Sequence, residues 1–546
     1  MKKHFYGLCL LAAITIVPCT TFSRSSLTGK KLSADFRIPP PSIQTTVYWY
    51  WVADHISEEG IIKDLYAMKK AGINRAFIGN IGYKEVPLPG GQVKFRTEAW
   101  WKALHTALKT ASKLDIEIGI FNGPGWSQAG GPWVIPDEAM RYLASVTAKV
   151  TGGKRVELEL PKPGDNFRDV KVIAFPDPTD RGELLNSTNC TVTATPGISD
   201  ATYLIDGDMT TEAMLVSDEQ REVSINFTAD KPFTIRSIKL FPVHRHMNVP
   251  VRIEVKEGGD YRPLAETQVD RYNSENIVGF DPFAPIAIAV PETTATEFRI
   301  VISQASPNVG FKDIALSSVP LVERYPEKSL AKMYQQPLPY WHDYMWREQP
   351  YAKDSTACVP ASQVLDISGC LNGDRLVWNA PAGNWTIMRT GMMPTGVKNS
   401  ASSPEGSGLE VDKMSKQHVA SHFESYMAEI HRRIPAEDRK TWKVIVQDSY
   451  ETGGQNFTDE FIEEFRMRYG YDPVPFLPVY QGIVVENEDI SNRFLWDLRR
   501  LIADKVAYDY VGGMREISHK YGLTTWLENY GHWGFPAEFL QYGGQS

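Results

Sequence analysis

Ile116-Glu-Ile-Gly-Ile-Phe-Asn-Gly-Pro-Gly-Trp126 is the stretch on which the fold turns. Ile116 to Phe121 is a short apolar run of strand length. It ends in Asn122-Gly-Pro-Gly, a loop that neither helix nor strand accommodates. Before it, Trp100, Leu104, Leu108 and Ala111 recur at helical spacing. Farther upstream the same alternation repeats. Val47 to Trp51 reads as a strand, and Ser57 as an N-cap with Glu58 and Glu59 in the first turn. Ile61, Leu65 and Met68 keep helical spacing, Gly72 closes the helix, and Arg75 to Ile81 is the next strand. Residues 45 to 135 therefore predict strand, helix, strand, helix, strand.

The pattern changes near residue 150. Residues 151–390 hold short alternating runs, such as Val223, Ile225, Phe227 and Phe298, Ile300, Ile302. Such alternation marks strands with one buried face, and a β-sandwich is the natural reading. Helical spacing returns after about residue 415, with Val419, Phe423, Met427 and Ile430. Lys443 to Gln447 is a strand ending at Asp448. Thr458 reads as the cap of a helix carrying Phe461, Ile462 and Phe465. A long helical region follows from about Ile490 to Tyr521, with Gly512-Gly513 as its break. Leu523 to Leu527 is a last strand leading into Glu528.

Helices between strands imply parallel pairing, because each crossover needs a helix on the sheet face. The predicted fold class is α/β: a (β/α)8-type barrel, incomplete in this chain, with an inserted β-sandwich block. Five barrel-type strands are visible where eight would be needed. Either the chain is part of a longer protein, the favoured reading, or the five strands form an open doubly wound sheet. The expected divisions are 1–24 as a signal peptide, 25–150 and 391–546 as the two barrel parts, and 151–390 as the insertion.

In both parallel architectures reactive groups collect at the carboxyl ends of strands. Trp51, Asp54 and His55 follow the first strand, and Asn80 the second. Asn122 and Trp126 follow the third, Asp448, Tyr450 and Glu451 the fourth, and Glu528, Asn529, Tyr530 and His532 the fifth. Carboxylates, amides, Trp and His on one rim suit a neutral sugar: proton transfer, hydroxyl binding and ring stacking. Glycoside cleavage needs a proton donor and a second carboxylate. Glu451 is the candidate acid and Glu528 the candidate second carboxylate. Trp51, Asp54, His55, Asn122, Trp126, Asp448, Tyr450, Tyr530 and His532 are candidate sugar contacts.

Bulk properties narrow the class. A formal charge of −8 repels phosphate backbones and argues against nucleic acid. Lys2, Lys3 and the apolar run from Leu8 to Val17 read as an export signal, too short to span a bilayer, so a periplasmic or extracellular protein is expected. No other stretch reaches ~18 apolar residues, so no transmembrane segment is expected. Cys19 is a lipid-attachment candidate, although Pro18 before it is a poor fit. Cys358 and Cys370 either pair after export or stay as buried thiols. Asp206-Gly-Asp208, before Thr210 and Thr211, either binds calcium through oxygens or makes an Asp-Gly turn. No organic cofactor is expected.

Several of these stretches together resemble glycoside hydrolase family 106, the α-L-rhamnosidases. They are Trp49-Tyr-Trp with Gly60 to Gly72, Asn122 to Trp133, Gly408-Leu-Glu-Val-Asp-Lys413, Asp448-Ser-Tyr-Glu451 and Glu528-Asn-Tyr-Gly531. The resemblance implies a (β/α)8 barrel, inversion at the anomeric carbon and release of terminal α-L-rhamnose from plant pectins or glycosides. It implies Glu451 as general acid and places the general base on a glutamate beyond Ser546, which would leave Glu528 to bind sugar or metal. It also implies calcium near the sugar hydroxyls, with Glu410, Asp412 and Asp448 as candidate ligands. Residues 186–320 separately resemble the discoidin-like, galactose-binding type of β-sandwich, which binds sugars or braces its enzyme.

Overall fold

The computed structural model describes residues 29–40, 43–82, 90–126, 128–178, 182–198, 200–216, 219, 221–271, 279–332, 346, 348–353 and 357–528. The export signal, Tyr530 and His532 lie outside these. Residues up to Thr45 form a separate unit, whose described part is the helix Gly29–Arg37.

From Thr46 onward the chain is built on five parallel strands: β1 (Thr46–Val52), β2 (Arg75–Ile81), β3 (Glu117–Phe121), β4 (Trp442–Gln447) and β5 (Thr524–Leu527). Each pairs only with the next in sequence, in the order β1-β2-β3-β4-β5. A doubly wound sheet would reverse direction at a switch point, and this one does not. The strands are mixed with helices as predicted, and among the described residues they do not close into a barrel.

The crossover helices form where the sequence placed them. Ser57 accepts from the Gly60 amide at 3.1 Å and caps the helix Glu58–Lys70, and Gly72, at φ 81°, follows its end. Thr97 caps Glu98–Leu114. Alternation along the strands then splits the sheet into two faces. Trp49, Trp51, Ile78, Ile118, Ile120, Ile445 and Leu527 join the large core shared with the helices. Phe77, Phe121, Val444 and Val446, with Trp526 against them, form a second cluster that contains no helix residue. Tyr48 and Tyr50 extend this aromatic face. Gly119 makes room for it, because a Cβ there would meet Phe77 at 2.4 Å.

The β-rich insertion is two modules, one nested in the other. The first strand of its sheets, Arg141–Thr151, begins ten residues before the expected boundary. A four-stranded and a three-stranded sheet, drawn from 141–176 and 365–394, share one core around Trp378, Trp385 and Ile387. Inserted between their halves is a seven-stranded antiparallel sheet with a separate core. Its long strand Val223–Pro242 alternates buried and less buried residues and pairs with Ile286–Ile302 along its length.

Two further expectations change, and two open readings take definite form. Gly512-Gly513 does not break the long helix: Glu488–Lys505 continues through a π-helical segment, Val506–Val511, into Gly512–Lys520. Thr458 caps no helix and instead donates to Asp412 at 2.6 Å. Cys358 and Cys370 do not form a disulfide and pack against different cores. The Asp206-to-Thr211 turn satisfies itself. Asp206 accepts from the Asp208 amide at 2.8 Å, Asp208 from the Thr210 amide at 2.9 Å, and the Thr211 hydroxyl donates back to Asp206. Among the described residues, no helix is long and apolar enough to cross a membrane.

Candidate active site

Parallel register sets the neighbours at the carboxyl ends of β4 and β5. Gln447 pairs with Leu527, and the Glu528 amide donates to the Gln447 carbonyl at 3.0 Å. The next residue on each strand is therefore an acid facing an acid. The Asp448 carboxyl is hydrogen-bonded to that of Glu528. Burial first, and then this bond, push Asp448 up to about 8, against the lowering effect of the Ser449 amide at 2.8 Å. A proton thus stays on the pair through neutral pH. Glu451 stands close enough for its charge to raise Asp448 further, and it accepts from the Ser449 hydroxyl at 3.1 Å. Three carboxyls converge at one strand end.

Aromatic rings border them. The Tyr48 hydroxyl donates to Glu528 Oε2 at 3.4 Å. Tyr48 stacks on Tyr50 at 5.4 Å, and Tyr50 meets Trp126 edge to face at 6.0 Å. The Trp126 indole N–H donates to the Tyr50 hydroxyl. Trp126 is 38% exposed, so its ring is open to a ligand. Its backbone amide donates to Ser400 at 2.8 Å. The loop beneath requires Gly125, whose φ is 92° and whose position would put a Cβ 2.6 Å from the Ser400 carbonyl.

Behind the carboxyls lies a dry polar layer. Lys413 and Glu410 are both fully buried and pair at 2.7 Å. The Lys413 ammonium sits 5.0 Å from the Tyr450 ring and 5.8 Å from Tyr510. Asp412 accepts from Arg141 at 3.0 Å, Gln455 at 2.7 Å, Thr458 at 2.6 Å and the Met414 amide at 2.8 Å. Burial would raise Asp412, but its bonds to His418 and Thr458 and the Arg141 charge hold it at about 2. Glu410 and Asp412 are each paired with a protein cation, while Glu410 Oε1 is buried without a hydrogen-bond partner among the described residues. No group of three or more metal-binding side chains occurs among the described residues.

Of the other expected sugar contacts, Asn122, Trp51 and Tyr450 are buried, Asp54 is half-buried and His55 is exposed. Asn122 is buried and donates to the Gln128 carbonyl at 2.7 Å and the Tyr510 hydroxyl at 3.1 Å. His422 binds its side-chain oxygen at 2.7 Å. Trp133 donates to His422 Nδ1 at 3.0 Å, so the imidazole proton lies on Nε2, facing Asn122. Trp51 is core, edge-on to Trp49 and Trp100. Tyr450 is buried beneath the loop that carries Glu451. Asp54 pairs with Lys94 at 3.1 Å, and together with His55 it lines a neighbouring cleft that also includes Tyr50. Sequence reading missed Tyr48, Tyr50, Lys413, His422 and Tyr510. Only the Tyr48-Trp-Tyr50 alternation carried a signal, since it puts both phenols on one sheet face.

With this geometry in place, comparison with known proteins decides the family. A family model described as alpha-L-rhamnosidase, of glycoside hydrolase family 106, matches residues 37–546. The chain belongs to this family. The structure of a rhamnosidase from Novosphingobium sp. PP1Y superposes with a TM-score of 0.78 at 25% identity, over 94% of this chain and 49% of that one. A protein of Formosa agariphila with the provisional name beta-glucuronidase is 26% identical over 517 residues, 94% of this chain and 31% of its own length. The chain thus spans 31% and 49% of the length of these two relatives.

Proposed function

We propose that the protein is an exported glycosidase that releases terminal α-L-rhamnose from plant pectin or glycosides with inversion. The observation that carries this reading is the meeting of Asp448, Glu451 and Glu528, joined through Tyr48 and Tyr50 to an exposed Trp126. Glu451 is the general acid, donating its proton to the leaving oxygen. Asp448 and Glu528 hold a shared proton and bind sugar hydroxyls. Acid and base must flank the sugar about 6.5–9.5 Å apart in an inverting enzyme. Asp448 keeps its proton through neutral pH, so water activation falls to another carboxylate. The five parallel strands are then part of a closed (β/α)8 barrel, with the aromatic face inside.

A neutral deoxysugar suits these groups better than a uronic acid. The carboxyls here would repel a sugar carboxylate. The seven-stranded module acts as a brace. Arg271 at its edge pairs with Glu327 at 3.0 Å, and the adjacent Lys328 donates to Asn492 on the long helix at 2.7 Å.

The test is hydrolysis of 4-nitrophenyl α-L-rhamnoside followed by proton NMR, with 4-nitrophenyl β-glucuronide in parallel. First-formed β-L-rhamnose supports the reading. Turnover of the glucuronide alone overturns the substrate, and retention overturns the mechanism. Binding of rhamnosides without turnover of either would favour a carbohydrate-binding role.

A further inference from the structure

Among the described residues three tryptophans are exposed. One is Trp126. The other two, Trp346 at 38% and Trp496 at 57%, line a single open cleft of ≈ 480 Å³ together with Tyr351 at 49%. The cleft lies on the amino-terminal half of the helix Glu488–Lys505. Tyr510, which anchors the active-site loop, is some 14 residues farther along, roughly 20 Å of helix rise. The cleft is therefore a separate place.

Its floor carries two buried cations. Lys328 is only 3% exposed, and its ammonium spends one donor on Asn492. Arg499 donates once, to the Lys328 carbonyl at 2.8 Å, out of five guanidinium donors. Neither forms an ion pair among the described residues, and both sit by the Trp346 ring, at 5.3 and 5.9 Å. Burial pushes Lys328 down to about 7 and lowers Arg499. Of the nearby acids, Asp489 pairs with Arg493 at 2.7 Å and Glu488 accepts from the Ala352 amide at 2.8 Å, Glu348 lines the cleft, and the charges of Glu323 and Glu327 act on Lys328. Arg499, with spare donors and no carboxylate acting on it, lies beside an open indole face.

We infer that this cleft is a second carbohydrate site that holds an acidic sugar, its ring stacked on the indoles and its carboxylate at Lys328 and Arg499. Aromatic faces suit the apolar side of a pyranose, and a guanidinium with free donors suits a carboxylate. The inference needs no turnover and stands apart from the proposed reaction.

The test is native affinity electrophoresis of the whole protein through gels containing polygalacturonate or, as a neutral polymer, galactan. Polygalacturonate should retard the protein, galactan should not, and Trp496→Ala should weaken the retardation at least tenfold. Trp496 is exposed, and hydrolysis of a small aryl glycoside should be unchanged in the variant. Absence of retardation overturns the site and leaves the cleft to a protein segment. Equal retardation of the variant overturns the role of the indole, and equal retardation by galactan overturns the role of the cations. Loss of aryl glycoside hydrolysis in the wild-type protein bears only on the proposed function.

Discussion

The carboxyl of Asp448 is hydrogen-bonded to the carboxyl of Glu528 across the ends of two adjacent parallel strands. Sheet register alone puts them there, since each is the first residue beyond a paired position. The arrangement holds only while a proton lies between them, and so it makes stability depend on pH.

The sign follows from linkage. Asp448 is raised to about 8, so between about pH 4 and 8 the folded protein holds a proton that the unfolded chain has lost. Stability from this group falls as pH rises through that window. Asp448→Asn keeps the shape without the titration. Its melting temperature should exceed that of wild type at pH 8, and the difference should vanish near pH 4. A pH-independent difference in thermal scans would count against the shared proton.

His422 slopes the other way. Burial, with the Lys413 charge, lowers it to about 4, against the raising effect of its bond to Asn122. The unfolded chain protonates first, so stability falls as pH drops from about 6.5 to 4. His422→Gln should flatten that limb. Asp412, held at about 2, acts only at lower pH and leaves the two effects separable.

Lys413→Met strands the fully buried Glu410 charge. A loss of about 3–5 kcal/mol is expected in denaturant unfolding. The double change with Glu410→Gln should recover much of it, because the uncompensated charge goes as well. Additive losses would contradict a direct pairing.

Trp126→Ala removes a ring that is open to solvent and edge-on to Tyr50. It should raise KM severalfold while shifting the melting temperature little. A large fall in melting temperature with an unchanged KM would assign the ring to packing.

The sequence made the scaffold readable where periodicity is local. Ser57 with its two following acids, the Trp100-to-Ala111 stripe and the five apolar runs all announce their elements within a few residues. Nesting of the β modules was hidden, because pairing of Arg141–Thr151 with Asn384–Pro394 spans more than 200 residues. At the site, strand ends pointed to Asp448, Glu451 and Glu528. They did not tell an exposed Trp126 from a buried Trp51, since both follow or end strands. Nor did they reveal that Glu410 and Asp412 face Lys413 and Arg141, contacts made by tertiary packing. The long helix read as one region, but its π-helical segment, which positions Tyr510 on Asn122, leaves no mark in composition.

The most direct test of the account is leaving-group dependence in Glu451→Gln. A general acid matters most when the departing oxygen is basic. On an alkyl α-L-rhamnoside the variant should lose about 10²–10⁴-fold in kcat. On 4-nitrophenyl α-L-rhamnoside, whose leaving group needs little protonation, the loss should be small. An equal loss on both substrates would contradict proton donation by Glu451 and, with it, the proposed reaction at this strand end.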